Sequence, residues 1–170
     1  VIGGVGFTSA VAPGYVFGSS EPTTSGILLE AISFDAGGWK IDTQHYQQMG
    51  GCYLLAHGMG KPCENASADF EVDTAGEWNV WVRNRDWCKG EWDSPGRFNV
   101  LINGQPLEKT LGAGEAKWHW EHGGKVKLEA GASKIELQDL TGFDGRCDAI
   151  FITQESAPIL PNDDLKQLTA

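Results

Sequence analysis

The feature that most restricts the fold of this chain is an apolar period of two, carried through residues 27–154 and broken at short intervals by glycine-containing turns. Side chains of a strand alternate between faces, whereas a helix repeats every 3.6 residues, so this pattern marks half-buried strands. Strands are predicted at 27–34, 52–57, 68–73, 77–83, 97–102, 125–129, 134–138 and 148–153. Turn signals separate them: Asp35-Ala36-Gly37-Gly38, Thr74-Ala75-Gly76, Asn103-Gly104, Gly123-Gly124 and Ala130-Gly131-Ala132. Short strands with no helical stretch between them make an all-β protein, an antiparallel β-sandwich of jelly-roll type.

The 170 residues are enough for one domain with a core and too few for two. Residues 1–26, rich in Gly, Ser, Thr and Pro, read as a leader arm or linker, residues 27–154 as the sandwich, and residues 155–170 as a C-terminal tail. The opening residues lack a basic, then apolar, then small-residue pattern, so a signal peptide is expected to be absent or already removed. Thirteen Lys and Arg against 23 Asp and Glu give a net charge of −10, a field that repels nucleic acid. No apolar run approaches the ~20 residues of a membrane span. Cys52, Cys63, Cys88 and Cys147 are an even set whose spacing is unlike a C-x-x-C zinc site, so disulfides or structural thiols are expected. If oxidised, they imply an extracytoplasmic protein, secreted, periplasmic or on the cell surface. Asn65-Ala66-Ser67 is a glycosylation sequon, relevant only in a eukaryotic secretory route.

The alternation also singles out residues on unexpected faces. Trp78, Val80 and Val82 form one face of their strand, which leaves Asn79, Trp81 and Arg83 on the other, as a binding surface or a second small cluster. Glu30 shares its face with Leu28, Ile32 and Phe34, and Asp148 shares its face with Ile150 and Ile152. A carboxylate turned toward a core needs a positive partner. Glu30 and Asp148 are therefore expected either to share a structural calcium, Ca2+, with turn carbonyls completing the shell, or to pair with Arg146 or Arg97.

Sugar sites set aromatic faces against the C–H patches of pyranose rings and use carboxylates, amides and guanidinium groups for the hydroxyls. This vocabulary gathers outside the predicted strands, where five of the seven Trp lie: Trp39, Trp87, Trp92, Trp118 and Trp120. Arg83, Asp86 and Arg97 stand beside them at strand ends. The Arg residues, Arg85 and Arg146 included, either bind an acidic sugar such as a uronate or tie loops down through Asp86, Asp144 and Asp148. No G-x-S-x-G motif supports serine hydrolase chemistry, no phosphate loop is present, and no carboxylate pair stands out for glycoside hydrolysis. A lyase combining His45, Tyr46, Arg83 and His57 or His119 is the enzymatic alternative.

The order of Leu29-Glu30-Ala31, Gly37-Gly38-Trp39, a Trp-Val-Arg strand, Asn103-Gly104, Trp118 and a closing Asp148-Ala149-Ile150 resembles carbohydrate-binding modules of the galactose-binding-like jelly-roll type, families 6 and 35. That resemblance implies a structural calcium held by Glu30 and Asp148. Arg83-Asn84-Arg85-Asp86-Trp87, Pro95-Gly96-Arg97-Phe98 and Leu140-Thr141-Gly142-Phe143-Asp144-Gly145-Arg146-Cys147-Asp148-Ala149-Ile150 are similar to the sandwich module appended to bacterial FAD-dependent oxidoreductases and xanthan-lyase-like proteins. No dinucleotide fingerprint accompanies them. The combined expectation is a non-catalytic module with no catalytic residues of its own, binding a polysaccharide or oligosaccharide through Trp39, Arg83, Asp86, Trp87, Trp92, Arg97, Trp118 and Trp120. A catalytic domain of the same parent protein is the expected partner, and a docking domain of a larger carbohydrate-active protein is the remaining alternative.

Overall fold

A computed structural model describes residues 25–90 and 92–161. The first 24 residues of the expected leader and the Asn162-Asp163-Asp164 part of the expected tail lie outside the described residues. Two antiparallel sheets face each other, as the alternation requires. One contains β2 (Lys40–Asp42), β3 (Tyr53–Ala56), β10 (Gly145–Thr153), β5 (Gly76–Asn84) and β8 (His119–Leu128) in that order, with β1 (Ile27–Glu30) also paired to β10. The other runs β4 (Ala66–Val72), β9 (Gly131–Asp139), β6 (Phe98–Ile102) and β7 (Gln105–Pro106).

The inward residues close one core. Trp78, Val80 and Val82 of β5 and Ile150 and Ile152 of β10 meet Phe98, Val100 and Ile102 of β6 and Ile135 and Leu137 of β9. Asn103 and Gly104 take φ of 51° and 78°, the left-handed pair that a two-residue hairpin turn needs. The strand of most consequence for the site is longer than its apolar pattern suggests. Gly123-Gly124, expected as a turn, lies inside β8, where a bulge opposite Val80 and Trp81 absorbs the extra residue. β8 therefore begins at His119 and puts Trp120 and His122 on the sheet. The helix-free expectation also fails locally: a single helical turn, α1 (Tyr46–Met49), lies between β2 and β3, and a 3-10 turn, Ala31–Ser33, follows β1.

Of the two alternatives expected for the cysteines, disulfides or structural thiols, the disulfides are not formed: all four cysteines are free thiols. Cys147 is wholly buried on β10, and the Cys63 thiol is turned to the Asp139 carboxylate at 3.1 Å. Burial and that carboxylate push the Cys63 thiol up to about 12, so it stays protonated and slow to react. Alkylation of the unfolded, unreduced chain is expected to add four labels by mass spectrometry. Two labels would mean that one disulfide is present.

Candidate functional site

Three loops meet at one end of the sandwich, residues 57–65 after β3, 85–97 after β5 and 140–144 after β9. They are tied by backbone: Gly58 and Gly60 amides both donate to the Gly142 carbonyl, and the Leu140 amide donates to Arg97. Asp139 organises two of them, since its buried carboxylate accepts from the amides of Thr141, Gly142 and Cys63. Gly142, at φ 72°, leaves no room for a side chain, because a Cβ there would sit 2.3 Å from the Lys61 carbonyl oxygen.

On this base stands an aromatic platform. Trp92 is 74% exposed and Phe143 49%. Half-buried Trp87 lies edge-on to Trp92 with centroids 6.1 Å apart, and its ring nitrogen donates to the Phe143 carbonyl. Trp92, Asp93 and Ser94 hold successive positive φ of 41°, 53° and 46°, conformations that L-residues adopt only at a cost and that concentrate at functional loops. Polar groups surround the rings. Arg97 donates to the Asp93 carbonyl and carboxylate, His57 Nδ1 lies 2.6 Å from Asp144 Oδ1, and the Arg146 guanidinium lies over Trp87 at 5.7 Å.

A second assembly covers the outer face of the larger sheet. Met49, Tyr53 and Trp118 form a small apolar cluster there. His45 packs on both rings, and Arg83 lies over Trp118 at 5.9 Å. The Tyr53 hydroxyl donates to Asp42, and burial together with that carboxylate pushes the phenol up to about 12. Burial raises Asp42, yet the Tyr53 hydroxyl and the Thr43 and Gln44 amides outweigh it and leave the carboxyl below its ordinary value. Beside this cluster a pocket of about 180 Å³ is lined by Leu28, Glu30, Ile32, Arg83, Trp120 and Asp148, among others.

Of the eight residues expected to touch a ligand, Trp87, Trp92 and Arg97 come together at the loop end. Arg83, Trp118 and Trp120 lie instead on the outer face: Arg83 is buried against Asp148, Trp118 is buried in its cluster, and Trp120 donates its ring N–H to the Pro161 carbonyl. Trp39 and Asp86 are interior. Trp39 is 1% exposed and packs edge-on against Phe98, so it offers no ring face to a sugar. Asp86 is wholly buried, accepting from the Cys88 amide and the Ser94 hydroxyl to hold the β5–β6 loop. Phe143, Met59, His57 and Asp144 also belong to the loop end, though none was among the eight: His57 was expected in a lyase and Asp144 in an ion pair that ties a loop down, and Met59 left no signal.

Glu30 and Asp148 do line one pocket, but it opens on the outer face rather than the core. Ile27 and Leu29 point inward, which sends Leu28 and Glu30 outward. In β10 a bulge between Cys147 and Ala149 resets the alternation, so Asp148 leaves the face of Ile150 and Ile152. The Asp148 carboxylate is engaged by the Arg83 guanidinium, which already supplies the positive charge, and Glu30 is exposed. Among the described residues no group of three or more His, Cys, Asp or Glu is gathered to hold a metal ion. Glu30 and Asp148 alone do not complete a calcium shell of about six to eight oxygens, and Asp148 already has a guanidinium beside it.

No family model matches the sequence, and no curated protein does. Solved structures do. A Podospora anserina GH26-CBM35 β-(1,4)-mannanase superposes with a TM-score of 0.60 at 22% identity, over 81% of this chain and 30% of the mannanase. A family 35 carbohydrate-binding module from Clostridium thermocellum gives 0.59 at 13% identity, covering 76% of this chain and 98% of the module. The C-terminal CBM6 of LamC from Zobellia galactanivorans gives 0.56 at 17%, covering 76% of this chain and all of the module. The chain thus spans about 30% of the mannanase and has the jelly-roll fold of family 35 and family 6 carbohydrate-binding modules.

Proposed function

We propose that this domain is a non-catalytic carbohydrate-binding module that grips a polysaccharide at the loop end of the sandwich. The observation that carries the proposal is Trp92, a largely exposed indole held in a positive-φ loop beside Trp87 and Phe143. A ring this exposed packs by its contact with Trp87 and still presents an open face, which suits the apolar side of a pyranose. Arg97, His57 and Asp144 supply hydroxyl partners at its edge. The fold shared with family 35 and family 6 modules supports the reading, and the mannanase with its appended CBM35 supports attachment to a catalytic domain. In the finer form of the proposal the polymer carries uronic acid, which guanidinium groups bind by paired hydrogen bonds. A ligand of this class lies outside the cytoplasm, which is the remaining argument for an extracytoplasmic location now that the thiols are free.

Of the groups named for a lyase, His45 and Arg83 share the Trp118 ring on the outer face, Tyr46 is exposed on α1, His119 lies 3.7 Å from Glu121 on β8, and His57 stands apart at the loop end.

Affinity electrophoresis through gels containing neutral and uronate polysaccharides tests the proposal. At least one polymer is expected to retard the protein, and Trp92→Ala to weaken that binding about tenfold, the worth of one stacked ring. Trp120→Ala, on the sheet, is expected to migrate like the parent. Unchanged mobility of the parent protein in every polymer would overturn the proposal.

A further inference from the structure

We propose that Arg85 and Arg146 form an anion-binding site directly behind the aromatic platform, and that its ligand is the carboxylate of an acidic sugar. The proposal deepens the carbohydrate-binding reading and rests on it for the sugar, though not for the anion.

Three guanidinium groups gather around Tyr53 and Trp118, and they are not equivalent. Arg83 is ion-paired with Asp148. Arg85 and Arg146 belong to no ion pair among the described residues. The Nε–H of all three is buried with no acceptor, although buried donors are nearly always satisfied; what sets Arg85 and Arg146 apart is that, among the described residues, no carboxylate is paired with them. Arg146 is only 7% exposed. Its Nη1 donates to the Asp144 carbonyl at 2.8 Å and its plane lies over Trp87, so the same side chain touches the platform on one side and the Tyr53 cluster on the other.

Arg85 is half-buried, with Nη1 3.3 and 3.4 Å from the two ring nitrogens of His45. A neutral imidazole accepts one hydrogen bond and carries no charge, so it leaves the guanidinium uncompensated. Burial first, then the charges of Arg85 and Arg146, hold His45 below its ordinary value and keep it neutral. Burial, and then the charge of Arg146, likewise lower Arg85, which places the two cations within range of each other. The carboxylate whose charge bears on Arg146 and His45 is Asp42, which is already occupied by the Tyr53 hydroxyl and two amides.

Two guanidinium groups against one engaged carboxylate leave a positive centre in a protein of net charge −10. Desolvated like charges with unsatisfied donors are the opposite of what stability alone favours. A carboxylate bridging the pair would satisfy the Nε–H donors and offset the repulsion, and the planar fork of arginine matches that geometry. Arg146, lying over Trp87, joins the site to the platform, so a polymer stacked at the loop end and continuing toward the outer face would bring an acidic substituent to it.

The Nε–Hε signals of arginine report the proposed atoms directly. In spectra of the 15N-labelled full chain, sodium glucuronate is expected to shift two such signals, assigned by their loss in Arg85→Lys and Arg146→Lys. Glucose and sodium chloride at matched ionic strength are expected to leave them in place. On gels, Arg85→Gln is expected to bind a uronate polymer about tenfold more weakly and a neutral ligand of the parent protein equally well, whereas Trp92→Ala weakens both. An absence of shift with glucuronate overturns the site, whereas an equal shift with sodium sulfate keeps an anion site and overturns its assignment to a carboxylate. Shifted arginine signals with no retardation by any polysaccharide would uphold the anion site and remove the carbohydrate-binding reading. Because the shifts are read on the parent protein, a variant is needed only for assignment, and where one fails to fold, triple-resonance spectra of the 13C,15N-labelled parent protein assign the same signals.

Discussion

Trp39→Ala is expected to destabilise the domain by about 3–5 kcal/mol, lowering the thermal midpoint by roughly 15 °C, while leaving the glycan affinity of the folded fraction unchanged. The loop that carries Trp39 is fixed to β4, with the Asp35 amide bonded to the Ser67 carbonyl at 2.9 Å and the Gly38 amide to Glu64 at 3.1 Å. A Cβ at Gly38 would stand 2.7 Å from Cys63 Cβ, so only glycine lets the turn approach β4 closely enough to drop the next side chain into the core. There the indole meets Phe98 edge-on, centroids 5.6 Å apart at 86°. The backbone around it is anchored on both sides, which limits collapse into the space that alanine would leave, so the cost belongs in the upper part of the range for large-to-small core changes. Total stabilities of such domains are about 5–15 kcal/mol, so the variant is best measured by urea titration at low temperature. If Trp39 were a ligand-stacking ring, the outcome would reverse, with affinity lost and stability kept.

The contrast between Trp39 and Trp92 shows how far the sequence reaches. Both indoles follow turn-forming segments, and composition cannot tell a ring that plugs the core from one that faces water. The difference lies in the close approach of the preceding turn to β4, which is a tertiary fact. The sheets themselves were legible, because Trp78, Val80 and Val82 alternate cleanly with Asn79, Trp81 and Arg83 and a one-residue slip would reverse every side chain. Alternation misled only where a bulge intervened. At Gly123 the bulge hid the first half of β8, and at Asp148 it moved a carboxylate from the inferred core face to the outer one. The strands β2 and β7 and the single turn of α1 are too short to leave a periodic trace. An even number of cysteines likewise carries no geometry, and here Cys63 and Cys147 lie in separate environments, one against Asp139 and one in the core.

The ion pair at the outer pocket carries the last and most discriminating expectation. Arg83→Met is expected to cost about 3–5 kcal/mol, because removing one member of a buried pair leaves the other charge without its compensation. The side chains of Arg83 and Asp148 are 3% and 14% exposed. Arg83 sits on the middle strand between β10 and β8, paired in register with Ala149 and Trp120, so water has little access from either side. The double variant Arg83→Met with Asp148→Leu, which replaces the pair by apolar groups, is expected to recover most of that loss. The same geometry bears on calcium. If a metal held Asp148, a chelator would lower the melting midpoint of the parent protein, since removing a ligand that binds only the folded state destabilises it. With the guanidinium as the compensating charge, the midpoint in EDTA is expected to equal that in millimolar calcium, and Arg83→Met to melt far below both. A calcium-dependent midpoint in the parent protein, together with a stable Arg83→Met, would return the cation to Glu30 and Asp148 and take from Arg83 the role assigned to it.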